Sequence, residues 1–343
     1  MLKSLVLFIL ICLVACGLQI SKKSTTSFDS DFKKEFGHYL FFDKALSFNM
    51  TKSCSSCHDP KLAFTDGYRK SLGATADLHQ RNSSSLLNIA SFSYFTAADT
   101  TLTTLEKQLQ NPFFNNKFIE LGVSGHEVEI MDRIKSNPSY LKIFNHFKQP
   151  INEISMQLII ASLADYCKTL NSYQSKYDLY LKNPKSNIFT KSEKAGMDLF
   201  FSDSFACSQC HGGINFNTPK LNPENIFLKN GFFLAYKTNV ATKFSEDMGL
   251  YNVSHNPQDI GRFRIPSLRN VLLTSPYMHD GNIETLTEVL QKYGQGGIIN
   301  APKDDRIKGF NMTKKEESSI ISFLTTLTDT SYYSNPLFLN PVY

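Results

Sequence analysis

Tryptophan is absent from this 343-residue chain, although the chain has 28 phenylalanines and 15 tyrosines. Any aromatic core therefore rests on Phe and Tyr, and no indole is available for any role. Charge of one sign is also scarce. Lys and Arg exceed Asp and Glu by five, too mild a balance to mark a nucleic-acid surface. A membrane-spanning run is missing as well: the apolar stretch from Leu5 to Val14 is too short to cross a bilayer comfortably. Convincing alternating strands are few, which argues against a sheet-based fold. Cysteine is limited to seven residues. Cys12 and Cys16 fall in the N-terminal segment, four others belong to two motifs, and only Cys167 is left over. A disulfide framework has no partners to use. Cys167, in the helical-looking "ASLADYCKTL", reads as a small core residue rather than a reactive thiol.

The first residues, "MLKSLVLFILICLVACGLQ", have one Lys ahead of an apolar run, the layout of an export signal. The run ends in Leu13-Val14-Ala15-Cys16, which resembles the lipobox of bacterial lipoproteins, where the Cys is acylated and becomes the first mature residue. The plainer alternative is an ordinary cleaved signal with an incidental Cys. On the lipobox reading, residues 1–15 are the signal peptide and 16–30 a polar tether. Lipid on Cys16 then anchors the protein to a membrane facing the periplasm, inner or outer being undecided, and several acyl chains on one Cys give a stable anchor.

What is present is mostly helix, separated by long loops rich in Gly, Pro, Asn and Ser. "NEISMQLIIASLADYCKTLNSY" has apolar residues at three-and-four spacing behind an Asn152 cap. Thr190 with Glu193, and Thr313 with Glu316, form capping-box patterns. Ile320, Ile321, Leu324 and Leu327 make a stripe behind the second. A faint repeat joins "GHYLFFDKALSFNMTKSCSSCHDPKLAF" to "GMDLFFSDSFACSQCHGGINF": Gly-x-x-Leu-Phe-Phe, then Cys-x-x-Cys-His, then Phe. With "YLKNPKSNIFTKS" as the linker, the reading is two domains of one type, 31–180 and 181–343, the C-terminal tail packing back on the first.

Cys-x-x-Cys-His attaches c-type haem: each thiol adds to a vinyl group and the His reaches iron. Cys54, Cys57 and His58 form one such site, and Cys207, Cys210 and His211 the other. Zinc is the competing reading, but it wants a closed tetrahedral shell, and no second Cys or His pair follows either motif at the usual spacing. Two haem c groups would bring four propionates, roughly cancelling the chain's positive charge. The sixth ligand then decides function: a filled iron relays electrons, whereas an open iron beside polar residues does chemistry.

At this point the chain resembles the bacterial di-haem cytochrome c peroxidases and their MauG-like relatives. "LFFDKALS", "SCSSCHDPKLAFTDG", "RNSSSLLN", "LEKQLQNP", "IELG", "CSQCHGG", "GRFRIPSLRNVLLTSPYMHDG", "TLTEVLQKYGQGG" and "MTKKEESSIISFLTTL" carry the resemblance in order, over nearly all of the mature chain. It implies two cytochrome c-like haem domains, with a peroxide-reactive iron on His58 and a relay iron on His211. It also implies distal roles for Gln108 and Glu120, although the loop between them is about two residues longer than in the family. A carboxylate there takes the proton from the near peroxide oxygen and returns it to the far one. Outside the family context, Glu120 reads as a solvated loop carboxylate.

In many members a His on a mobile loop caps the resting peroxide-reactive iron. That position is Ala74 here, implying an open iron, while His79 falls out of register and reads as a loop or surface residue. Many peroxidases place a Met on the relay iron. The matching residue is Tyr293, as in MauG-like proteins, with Met278 the competing ligand and plain helix packing the remaining reading of Tyr293. A phenolate favours ferric and higher-valent iron. The family also binds calcium between the haems, and Asn82, Thr274 and Pro276 match that site. Its inter-haem Trp is replaced by Ala98, with Asp99 retained and Tyr94 or Phe95 as substitute relays.

The resemblance thus implies a peroxidase that reduces hydrogen peroxide to water. Its electrons would come from a small periplasmic donor protein, a cytochrome c or a cupredoxin. The alternatives are a MauG-like oxidase acting on a protein side chain and a non-catalytic di-haem electron carrier. Homodimers are common in the family, and no segment of this sequence marks an interface.

Overall fold

The computed structural model describes residues 28–220, 227–229, 235–237, 242–244, 247–297 and 303–341. The expected signal peptide and Cys16 lie outside the described residues. Among the described residues no helix is long and apolar enough to cross a membrane.

Two helical cores organise the chain. The first is built from α1 (Ser30–Phe42), α2 (Leu105–Gln108), α3 (Gln110–Phe114), α4 (Glu127–Ser136), α5 (Pro138–His146) and α6 (Met156–Cys167). Its centre is phenylalanine: Phe32 and Phe36 on α1 meet Phe144 on α5 edge-on at 4.8 and 5.1 Å, the geometry that ring quadrupoles favour. Cys167 lies buried at the end of α6 within this core, and burial pushes its thiol up to about 12.

The second core uses α7 (Lys176–Lys182), α8 (Lys191–Phe201), α10 (Leu286–Gly294) and α11 (Lys314–Thr325), and the chain also forms the short α9 (Tyr251–Ser254). Strand β1 (Phe227–Lys229) pairs antiparallel with β4 (Arg262–Arg264), and β2 (Ala235–Lys237) with β3 (Thr242–Phe244).

Sequence signals account for most helix ends. Thr190 with Glu193 and Thr313 with Glu316 close capping boxes on α8 and α11. The start of α6 differs from expectation. Asn152 sits in a separate 3₁₀ turn, and Ser155 is the cap, its side chain accepting from Leu158 N–H. The passage between cores also falls earlier than Tyr180, because Tyr177 and Tyr180 already pack in the second core. At the other end, Tyr332 and Phe338 lie in the first core. Tyr166 Oη donates to the Leu337 carbonyl, and His38 Nε2 to that of Leu339.

The repeated Gly-x-x-Leu-Phe-Phe has a packing cause. Helix α1 packs along α6, and α8 along α11. A Cβ on Gly37 would sit 2.0 Å from the Ser162 carbonyl oxygen, and one on Gly196 1.8 Å from that of Ser319. Both glycines mark helix–helix contacts too close for a side chain. Gly37→Ala or Gly196→Ala is expected to cost about 1–3 kcal/mol through overpacking, read as a lowered urea midpoint by far-ultraviolet circular dichroism.

Candidate functional site

Each Cys-x-x-Cys-His segment begins as a 3₁₀ turn, at Cys54–Ser56 and Cys207–Gln209. The chain then folds back, Asp59 pairing with Thr65 and Gly212 with Thr218. At the bend the backbone is left-handed, at Ala63 and Phe64 (φ 52° and 60°) and at Phe216 (φ 54°), a region unusual for residues with side chains. The bend aims a Phe carbonyl at the motif His. His58 Nδ1 donates to Phe64 O at 2.8 Å, and His211 Nδ1 to Phe216 O at 2.9 Å. With Nδ1–H engaged, the free lone pair is on Nε2, the atom left for iron. Burial holds both imidazoles below their usual pKa, so both are neutral as a metal ligand must be. The four motif thiols are unpaired. Burial pushes Cys57 up to about 11 and Cys207 to about 12 and raises Cys54 and Cys210, keeping them as thiols.

Gln108, to which the resemblance gives a distal role at the first haem, ends α2, and its buried Oε1 has no partner among the described residues. An unsatisfied buried acceptor costs about 1–3 kcal/mol, and a ligand supplies the missing donor. Glu120 follows in the loop after α3. Leu121 N–H donates to Pro112 O (3.0 Å) and Val123 N–H to Phe113 O (2.9 Å), tying this loop to the helix directly behind Gln108. Glu120 lies near enough to act electrostatically on Cys54, Cys57 and His58.

Ala74 occupies a small hairpin across this loop, closed by the Leu72–Leu78 bridge, and its N–H donates to Glu120 O at 2.8 Å. His79 departs from its expected place as a plain loop residue: its Nε2 lies 3.2 Å from Glu120 Oε1. Its Nδ1 accepts from Arg81 N–H at 3.3 Å. Both ring nitrogens are therefore engaged by protein, leaving neither for iron.

The second motif opens on a cavity of about 690 Å³, lined by Cys207, Cys210, His211, Arg264, Met278 and Tyr293, within the usual range for cofactor sites. Tyr293, on α10, is raised above the ordinary phenol pKa by burial and then by the Cys210 and Cys207 thiols beside it. Met278 lines the same cavity. Arg264 tests whether a haem fits. Its Nε donates to Thr96 O at 3.0 Å, Nη1 is buried without a partner, and burial pushes the guanidinium down to about 10. No carboxylate pairs with it among the described residues. A buried cation is stable only when compensated, and a haem propionate is the anion this cavity lacks.

Asn82, Thr274 and Pro276, the expected calcium residues, line the same cavity. Asn82 Nδ2 donates to Tyr68 O and its N–H to His279 O, both at 2.9 Å.

Of the substitute relays named from sequence, Phe95 packs on the first core and Tyr94 on Leu250. Ala98 instead packs against Phe263, whose ring stacks on His279 with centroids 4.0 Å apart. Sequence reasoning missed this pair, since neither residue is near Ala98 in the chain.

Two haem-attachment units, each with an oriented imidazole and a pair of thiols, define a di-haem c-type cytochrome. The family model of the di-haem cytochrome c peroxidases matches residues 32–186. Cytochrome c551 peroxidase of Nitrosomonas europaea is 31% identical over 294 residues, covering 86% of this chain and 79% of that protein. Methylamine utilization protein MauG of Methylorubrum extorquens is 26% identical over 300 residues, covering 86% and 78%. The crystal structure of a MauG-like protein associated with microbial copper homeostasis matches with a TM-score of 0.81 and 34% identity, over 91% of this chain and 93% of that one. The chain belongs to the di-haem cytochrome c peroxidase and MauG family, which implies two haem c groups, peroxide as substrate and a redox partner.

Arg264→Leu is expected to shift the second haem's reduction potential negative and leave the first unchanged, because a fixed positive charge favours the reduced iron. Spectroelectrochemical titration of both Soret components checks this.

Proposed function

We propose that the chain reduces hydrogen peroxide to water at the His58 haem, with electrons entering through the His211 haem. The observation that carries this reading is the distal side of the first site, where Gln108 has an unpaired buried oxygen, Glu120 faces the motif and Ala74 offers no iron ligand. When bound, the first haem supplies the iron that takes peroxide and passes it two electrons. Glu120 removes the proton from the near oxygen and returns it to the far one. Gln108 accepts a peroxide hydrogen and holds the molecule in register. Two electrons and two protons convert each peroxide to two waters. His211 and Tyr293 ligate the relay iron, with Met278 the alternative to Tyr293. Asn82, Thr274 and Pro276 hold calcium, and lipid on Cys16 keeps the enzyme at a periplasmic membrane surface within reach of a small cytochrome c or cupredoxin.

A second reading, oxidation of a protein side chain, is favoured by Tyr293 and by the 34% identity to a MauG-like protein. A bare electron carrier would need a sixth ligand on the first iron, and His79, the only obvious histidine near the expected position in the sequence, already has both ring nitrogens engaged by Glu120 and the Arg81 N–H.

Electron paramagnetic resonance of the oxidised protein is expected to show one high-spin and one low-spin ferric signal, the first lost on adding peroxide. Two low-spin signals that ignore peroxide, before and after one-electron reduction, would overturn the proposal. Glu120→Gln is expected to slow peroxide cleavage by about 10²- to 10⁴-fold, measured by stopped-flow at the Soret band.

A further inference from the structure

We propose that His79 is the positioning residue for Glu120: neutral imidazole donates Nε2–H to one carboxylate oxygen and holds the other toward peroxide. The inference rests on the catalytic reading of Glu120 given above and assigns the residue that makes a loop carboxylate fit for that work.

The tautomer follows from the hydrogen bonds. Arg81 N–H can only donate, so His79 Nδ1 accepts and carries no proton. The ring hydrogen is then on Nε2, pointed at Glu120 Oε1 at 3.2 Å. Pairing with Glu120 raises the ring's pKa despite its burial, but a protonated ring would set an Nδ1–H against the Arg81 N–H, so the neutral ring is the form that keeps both hydrogen bonds.

The backbone enforces the contact. Gly73 passes so close to the Glu120 loop that a Cβ would lie 1.8 Å from the Ile119 carbonyl oxygen. The hairpin is closed by Gly73 N–H to Asp77 O (3.0 Å) and His79 N–H to Ser71 O (2.8 Å). Asn49 Nδ2 fastens its tip by donating to Ala74 O at 2.8 Å. Phe118 lies beside the imidazole, with ring centroids 5.8 Å apart. The charged groups acting on the ring are Glu120 and Arg81, and Arg81 is held away by a two-pronged pair with Asp247 at 2.7 and 2.8 Å.

Glu120 is about one-third exposed, and a carboxylate so placed samples several rotamers unless something restrains it. The His79 donor supplies the restraint. In the peroxide step the proton moves from the near oxygen to Glu120 and on to the far oxygen, while the Nε2 proton stays on His79. The role therefore consumes no proton.

The test uses the full holoprotein and two readouts, stopped-flow peroxide reaction and the cyanide dissociation constant at the first haem between pH 5 and 8. Cyanide binds as the acid and leaves its proton on the distal base, so it reports the state of Glu120 without turnover. His79→Leu is expected to weaken cyanide binding and slow the peroxide reaction by roughly tenfold, about the worth of one charge-assisted hydrogen bond. His79→Gln keeps an N–H donor that does not titrate in this range, and is expected to restore both readouts to within about threefold of wild type at every pH. In a Glu120→Gln background, His79→Leu is expected to add no further loss.

A wild-type response from His79→Leu overturns the inference. So does failure of His79→Gln to rescue together with loss of the wild-type pH dependence, which would make His79 a proton carrier. Full peroxide reactivity in Glu120→Gln alone would overturn the underlying reading of Glu120. A slow Glu120→Gln beside an unaffected His79→Leu overturns only the role of His79.

Discussion

The hydrogen bond from each motif imidazole to a phenylalanine carbonyl joins folding to chemistry in this molecule. Phe64 and Phe216 are almost completely buried. The Phe64 ring packs on Phe41, Tyr332 and Phe338, and that of Phe216 on Tyr177, Phe200 and Phe323. Each ring is locked by helix packing, and the carbonyl of the same residue fixes the imidazole five or six positions earlier. The left-handed bend is therefore stabilised by the core rather than by local preference. A change that loosens α1 on α6, or α8 on α11, would reach the iron ligand through that one carbonyl. The C-terminal tail completes the first of these cores, so the first site depends on residues nearly 300 positions away in the chain.

Duplication of this unit sets the two proximal sides alike and leaves the distal sides free to differ. The parts in common are local: a helix end, a 3₁₀ turn, two thiols, an imidazole and a bend. The distal groups come from elsewhere. Glu120 and the Ala74 hairpin lie near the first motif, and α10 carries Tyr293 to the cavity at the second. Because these lie outside the repeated scaffold, they can carry different chemistry without disturbing it. A hydrogen-bonding carboxylate suits an iron that must receive a ligand from solution. A buried phenol such as Tyr293 would instead suit an iron whose ligation is complete.

The same division explains what was legible in the sequence. Cys54 to His58 and Cys207 to His211 are contiguous and were readable outright, as were the capping boxes at Thr190 and Thr313. The repeated glycines were visible as a pattern, but their cause, contact with Ser162 and Ser319, required the partner helices. Gln108 and Glu120 became readable only through family resemblance, since neither has a distinctive spacing. His79 was readable only as a loop or surface residue, not as a partner of Glu120. Its distance from Glu120 in the chain is 41 residues, and the contact depends on the close approach of Gly73 to Ile119, which no periodicity encodes. The cap of α6 was misplaced for a milder reason: Asn152 and Ser155 are both good caps, and only the intervening 3₁₀ turn chooses between them.

The missing tryptophan bears on which chemistry the two haems can share. Ala98 takes its place, and the aromatic group packed against it is Phe263, stacked on His279. A benzyl ring is much harder to oxidise than an indole, so it serves as a medium for electron tunnelling rather than as a stopping point for charge. His279 adds little, because its Nδ1 is buried without a partner among the described residues and burial lowers its pKa, leaving oxidation no stabilised cation to form. With no indole in the chain, the side chain that the resemblance leads one to expect between the haems is missing, and a Phe ring cannot hold oxidising equivalents in its place. Peroxidase turnover needs only electrons delivered singly, whereas prolonged sharing of two equivalents needs a group that holds them. The missing indole thus counts against prolonged sharing of equivalents, whereas a Tyr293 ligand would suit higher-valent iron, and the two features separate how the relay iron is ligated from how charge travels.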